Sequence, residues 1–160
     1  MTRTASSPPF TPADGAELRR ALRELVRHSA LRDRTRAAAR GLTTAGAHVL
    51  EVLAERGPLS LNALAAELFV DKSTASRTVG LLEDHGHLVR RADPADGRAI
   101  RVELTPGGLA LHRELHDASV REAEAVLAEL SAGERVTGVA FLRRLLATPP
   151  LDAEREGGAG

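Results

Sequence analysis

Leu64-Ala65-Ala66-Glu67-Leu68-Phe69-Val70-Asp71-Lys72-Ser73-Thr74-Ala75-Ser76-Arg77-Thr78-Val79-Gly80-Leu81-Leu82 reads as two short helices joined by a tight connection. In the second helix Ala75, Val79 and Leu82 recur at i, i+4 and i+7, which places them on one face. Leu64, Ala65 and Leu68 form the matching face of the first. Alanine at 65 and 75 lets the two axes approach closely. Asp71 is a good N-cap and Gly86 a good stop, so the second helix is bounded at both ends. Two helices of this length around a short turn are the sequence form of a helix-turn-helix.

Beyond Gly86 the period changes. Leu88-Val89-Arg90-Arg91 and Ile100-Arg101-Val102-Glu103-Leu104 are short and partly alternating, and Asp93-Pro94-Ala95-Asp96-Gly97-Arg98 between them is rich in turn formers. The pattern predicts a β-hairpin, which turns the helix-turn-helix into a winged helix. Upstream, Thr43 caps a helix carrying Val49, Leu50 and Leu53 that ends at Gly57-Pro58. A further helix starts near Thr11 or Pro12, with Leu18, Leu22, Leu25 and Val26 as its apolar stripe. Downstream, Thr105-Pro106 opens a long helix, and Ser131-Ala132-Gly133-Glu134 is a capping box for the last one. The fold expected is mainly α with a small β-hairpin: a winged helix-turn-helix domain at 43–104 embedded in a helical region formed by 12–42 and 105–147. The Pro/Ser/Thr-rich arm 1–11 and the tail 148–160 are expected to be disordered.

With Ala75, Val79 and Leu82 turned inward, the opposite face of that helix presents Lys72, Ser73, Thr74, Ser76 and Arg77 in its first two turns. A guanidinium bonds two acceptors on the major-groove edge of guanine, and hydroxyls reach bases or phosphates. Free N–H groups at a helix start favour phosphate. The same Ser and Thr would also serve simply as caps, but the hairpin beside them favours duplex reading. At the hairpin tip Arg98 follows Gly97 and is free to project. A guanidinium on a narrow ribbon suits the negative potential of a minor groove. Asp96 is read as the orienting partner of Arg98, because a bare carboxylate would repel phosphate. Arg90, Arg91 and Arg101 belong equally well to a phosphate-contacting or a solvated strand face.

Leu42-Thr43, the segment from Leu64 through Arg77 and Val79 to Leu82-Glu83, Gly86 and Leu88, then Asp93-Pro94-x-Asp96-x-Arg98 and Leu104-Thr105, together resemble the MarR family of bacterial transcription regulators. The Asp-x-Arg wing is the most specific element. The resemblance implies a homodimer on a palindromic DNA operator, dimerised through the first and last two helices, with the helix after Asp71 in the major groove and Arg98 in the minor groove. It also implies release by a small ligand, by thiol oxidation or by a metal. The apolar stripes Leu18/Leu22/Leu25 and Val136/Val139/Ala140 are in keeping with it, since both need a partner surface.

Composition narrows these options. The 160 residues include no cysteine, which excludes thiol sensing and cysteine-based zinc sites. Phe10, Phe69 and Phe141 are the only aromatics, so a base-stacking platform for single strands is not expected. Lys72 is the only lysine. Net charge is zero, yet residues 1–56 carry 10 basic and 6 acidic side chains, and a local patch suffices for DNA. No apolar run is long enough for a membrane span and no secretory h-region is present, so a cytoplasmic location is expected. Phosphate-loop, Gly-x-Ser-x-Gly and His-Glu-x-x-His motifs are all missing, and His85 and His87 with Glu83 and Asp84 read as a polar turn; an enzyme is the remote alternative. His112 and His116 at i, i+4, with His48 and a carboxylate such as Glu24 or Glu51, give an alternative zinc-responsive site. The same two histidines fit the heptad-like stripe from Leu109 to Leu130, where they would pack at an interface. A ligand pocket touching His48 or an arginine of the first helix is the remaining route to an effector.

Overall fold

The computed structural model describes residues 11–93 and 99–147. Its elements are α1 (Pro12–Ala38), α2 (Thr44–Arg56), β1 (Leu59–Ser60), α3 (Leu61–Glu67), α4 (Lys72–Asp84), β2 (Leu88–Ala92), β3 (Ile100–Leu104), α5 (Pro106–Ala128) and α6 (Ala132–Ala147). The expected starts hold for chemical reasons. The Thr11 hydroxyl accepts from Asp14 N–H while the Asp14 carboxylate accepts from Thr11 N–H. Thr43, Ser60 and Asp71 cap α2, α3 and α4, each accepting a backbone N–H three residues on. Ser131 and Glu134 make the reciprocal box that opens α6.

β2 and β3 pair antiparallel from Leu88↔Leu104 to Ala92↔Ile100, and the hairpin is closed by the Asp93 N–H donating to Ala99 O at 2.8 Å. The sheet order is β1-β3-β2. The two-residue strand β1, with Leu59 opposite Val102, has no counterpart in the sequence reading, because two residues cannot display a period.

Two compact units make up the chain, Met1–His116 and Asp117–Gly160. In the first, Val49, Leu50, Leu53, Leu64, Val79, Leu82, Leu88 and Val102 form one buried cluster shared by α2, α3, α4 and the hairpin. Each such side chain contributes about 1.5–3 kcal/mol on burial, against about 0–1 kcal/mol for an exposed ion pair. Packing, not surface charge, therefore holds the domain. In the second unit α6 buries no side chain, and Val136, Val139, Phe141, Leu142 and Leu146 are exposed.

The start of α5 is joined tightly to the end of α4. Thr105 N–H donates to His87 O at 3.0 Å, its hydroxyl donates to Gly86 O at 2.7 Å, and the same hydroxyl accepts from Gly108 N–H at 3.0 Å. A Cβ at Gly108 would lie 2.0 Å from His87 O. Gly108→Ala is expected to lower stability by about 2 kcal/mol, whereas Gly80→Ala in α4, where an added Cβ meets nothing within 4 Å, should raise it by about 0.5–1 kcal/mol. Urea unfolding of the two variants beside the wild type measures both signs.

Candidate nucleic-acid interface

α4 has one buried face and one open one. Ala75, Val79 and Leu82 are buried against α2 and α3, as the spacing predicts. Lys72, Ser73 and Arg77 are exposed, and Thr74 and Ser76 are half-buried. No carboxylate lies within ion-pair distance of Lys72 or Arg77 among the described residues. The five residues picked from the sequence on this helix thus share one end of it. Asp96 and Arg98 of the wing lie outside the described residues.

The first turn is organised by Asp71. Its Oδ1 accepts from Thr74 N–H at 2.9 Å and from the Ser73 hydroxyl at 2.5 Å, and its Oδ2 accepts from the Thr74 hydroxyl at 2.7 Å. These bonds, the Ser73 hydroxyl first, hold the Asp71 carboxyl far below the usual carboxylate range. Arg77 Nη2 in turn donates to Thr74 Oγ1 at 3.3 Å. Capping and presentation, posed as alternatives by the sequence, therefore coexist in Ser73 and Thr74. The network was not legible in advance because its links depend on rotamers.

The turn before α4 contains an unusual residue. Phe69 has φ +54° and is 96% exposed. Phe69 N–H donates to Ala66 O and Val70 N–H to Ala65 O, both at 3.1 Å, the pattern of a Schellman cap. The same pattern ends α4, with Gly86 at the left-handed position (φ +74°). Only glycine adopts that conformation without cost, so Phe69 occupies a glycine's place and buries nothing in return.

The arginines of the strands are all paired: Arg90 with Glu83 at 3.3 Å, Arg101 with Asp93 at 2.5 Å, and Arg91 with Glu103. Of the two roles left open for them, the charge-neutralised strand face is the one the geometry favours.

The histidines do not gather. His48 faces Glu51 at 3.8 Å and lines a cleft of about 220 Å³ with Thr44, Ala45, Leu68, Val70, Thr74, Ala75 and Thr78. His112 and His116 have ring centroids 5.9 Å apart on α5, the former half-buried and the latter exposed. Among the described residues no group of three His, Asp or Glu side chains is close enough to hold a metal ion. The trio His48, His112 and His116 is therefore not brought together in the chain, because two of its members sit on α5 and the third on α2. An open surface depression of about 630 Å³ is lined by α1 alone, by Arg19, Arg20, Arg23 and Arg27 with Leu22, Glu24 and Val26. His85 and His87 stack with centroids 6.3 Å apart, and His85 Nδ1 is 2.6 Å from Leu81 O, as a polar turn leaving the helix. No described helix is long and apolar enough to cross a membrane.

An exposed polar helix on a buried apolar face, followed by a two-stranded ribbon, defines a DNA-binding winged helix-turn-helix protein. Residues 40–99 match the MarR family profile. A transcriptional regulatory protein assigned to the hcr operon of Thauera aromatica is 34% identical over 112 residues, covering 70% of this chain and 68% of that protein. The HTH-type transcriptional repressor NicR of Pseudomonas putida is 32% identical over 94 residues, 59% of this chain and 60% of NicR. A MarR family protein from Bacillus stearothermophilus superposes with a TM-score of 0.80 at 24% identity, over 87% of this chain and 97% of that one. The chain belongs to the MarR family and is a DNA-binding transcription regulator.

Phe69→Gly is expected to stabilise the protein by about 1 kcal/mol in urea unfolding, through relief of left-handed strain; a loss would mean that the ring packs against something. A second expectation concerns acid. Asp71 has a native pKa below its unfolded value, so its contribution is fully present above about pH 4 and fades as pH falls through the depressed native value. Asp71→Asn keeps the cap and removes this titration. Its stability should therefore fall less steeply than that of the wild type below pH 4, compared by urea midpoints between pH 6 and pH 2.5.

Proposed function

We propose that the chain is a homodimeric repressor that binds a palindromic double-stranded operator. α4 enters the major groove with Lys72, Ser73, Thr74, Ser76 and Arg77, and Arg98, oriented by Asp96, reaches the minor groove. The single observation that carries this reading is the open end of α4, with two uncompensated cations and three hydroxyls opposite a face pinned by Ala75, Val79 and Leu82. The paired strand arginines support it too, because they leave specificity to the helix and the wing tip. Assignment as a repressor follows the kinship with NicR.

Dimerisation is assigned to 12–42 and 105–147. In support, Leu25, Val26 and Leu31 on α1 and Val136 and Leu146 on α6 are exposed, more than half their area in each case; apolar surface of this kind marks an interface. Two-fold symmetry then sets half-sites about 10 bp apart, one duplex turn. A small organic effector is assigned to the cleft beside His48, which backs directly onto α4. Occupying it would bias the dimer toward a spacing of α4 helices that misses the two half-sites.

The test couples duplex selection from a random pool with sedimentation. The wild type should sediment as two chains and recover a palindrome. Arg77→Ala and Arg98→Ala should keep fold and dimer. A lost base contact would cost about 1–3 kcal/mol at one operator position, and a lost phosphate contact would lower the salt slope by about 1. Wild-type affinity in both variants would overturn the assigned reading surface, and a monomer would overturn the dimer.

A further inference from the structure

We propose that Asp71 sets the hydrogen-bond polarity of the reading face, so that Ser73 selects an operator base bearing an exocyclic amine and Thr74 is a positioning residue for Arg77. This rests on the reading of α4 as the major-groove element, and deepens it from a list of contacts to a rule of selection.

A hydroxyl has one proton and two lone pairs. The Ser73 proton is committed to Asp71 Oδ1 at 2.5 Å and the Thr74 proton to Oδ2 at 2.7 Å. Both bonds end on an ionised carboxylate and are of the charge-assisted kind, about twice as strong as neutral ones. What each hydroxyl has left to offer is lone pairs. Arg77 confirms the arrangement from the other side: a guanidinium only donates, and its Nη2 lies 3.3 Å from Thr74 Oγ1. The three groups form a one-way series, with Arg77 donating to Thr74 and Thr74 donating to Asp71. Thr74 therefore spends its proton and one lone pair inside the protein. Its work is to hold the guanidinium, not to touch a base.

Ser73 has no such second obligation and is exposed. A lone-pair-only hydroxyl is blind to phosphate oxygens, to guanine N7 and O6 and to thymine O4, all of which are acceptors. In the major groove it pairs with adenine N6 or cytosine N4 alone. Ser76 is outside the reach of this carboxylate network and stays free to donate or accept. The two serines on one helix thus differ in what they can read, although the sequence writes them alike.

The experiment uses the full chain and the duplex it selects from a random pool. Each adenine is replaced in turn by purine lacking the N6 amine, and each cytosine by the pyrimidinone lacking the N4 amine. Wild type is expected to lose affinity about fivefold or more at one position per half-site, and Ser73→Ala should show no loss there. Thr74→Val should broaden base preference at the position read by Arg77, and Thr74→Ser should restore it; circular dichroism checks that both keep the helix, whose Asp71–Thr74 N–H cap neither variant removes. If no amine removal couples to Ser73, or if the coupled position demands a base acceptor, the polarity rule is wrong. If Thr74→Ser fails where Thr74→Val fails, the positioning role is wrong. A wild-type chain that selects no duplex at all overturns the major-groove reading beneath both.

Discussion

Val79 sits at the centre of the molecule's functional logic. It is wholly enclosed, in one apolar cluster with Val49 and Leu50 of α2, Leu64 of α3 and Val102 of β3. That enclosure, shared with Ala75 a turn before and Leu82 a turn after, fixes the rotation of α4 about its own axis. Once the rotation is fixed, the residues one half-turn away have no choice of direction. Lys72, Ser73 and Arg77 face outward because Ala75 and Val79 cannot. A single polar residue at 79 would cost several kcal/mol of burial and free the helix to roll. The open face of α4 is thus the far side of a packing decision.

Charge is arranged on the same economy. Each strand arginine has an acid beside it: Glu83 of α4 answers Arg90, Glu103 of β3 answers Arg91, and Asp93, just past β2, answers Arg101. Exposed pairs of this kind add little stability. Their effect is to remove three cations that would otherwise hold any polyanion regardless of its sequence. On α4 the two cations without a carboxylate partner among the described residues, Lys72 and Arg77, both lie in the first two turns.

Most of the architecture was legible in the sequence because it rests on periodicity and caps. Thr43, Ser60, Asp71 and Ser131 open their helices where side-chain chemistry says they should, and the two short alternating segments pair as the expected hairpin, in a register from Leu88↔Leu104 that the structure supplies. Other features depend on geometry that no spacing encodes. β1 is too short to show a pattern. No spacing marks Phe69 as the residue that takes a left-handed cap position with its ring in solvent. At the site, the inward and outward faces of α4 were readable, but the direction of the Ser73 and Thr74 protons was not, since it is set by rotamers around one carboxylate. For the histidines, spacing shows which two share a helix face, His112 and His116, but not where His48 of α2 lies: it lines the cleft beside α4.

The junction at Gly108 has a mechanical consequence. With His87 O where a methyl group would otherwise sit, and Thr105 bonded to the carbonyls of both Gly86 and His87, there is no slack between the first turn of α5 and the last turn of α4. Torque on the base of α5 cannot dissipate in a loose loop. A rotation there would pass to α4 as a crank turns a rigid shaft, and a few degrees would swing Lys72, Ser73 and Arg77 at its far end.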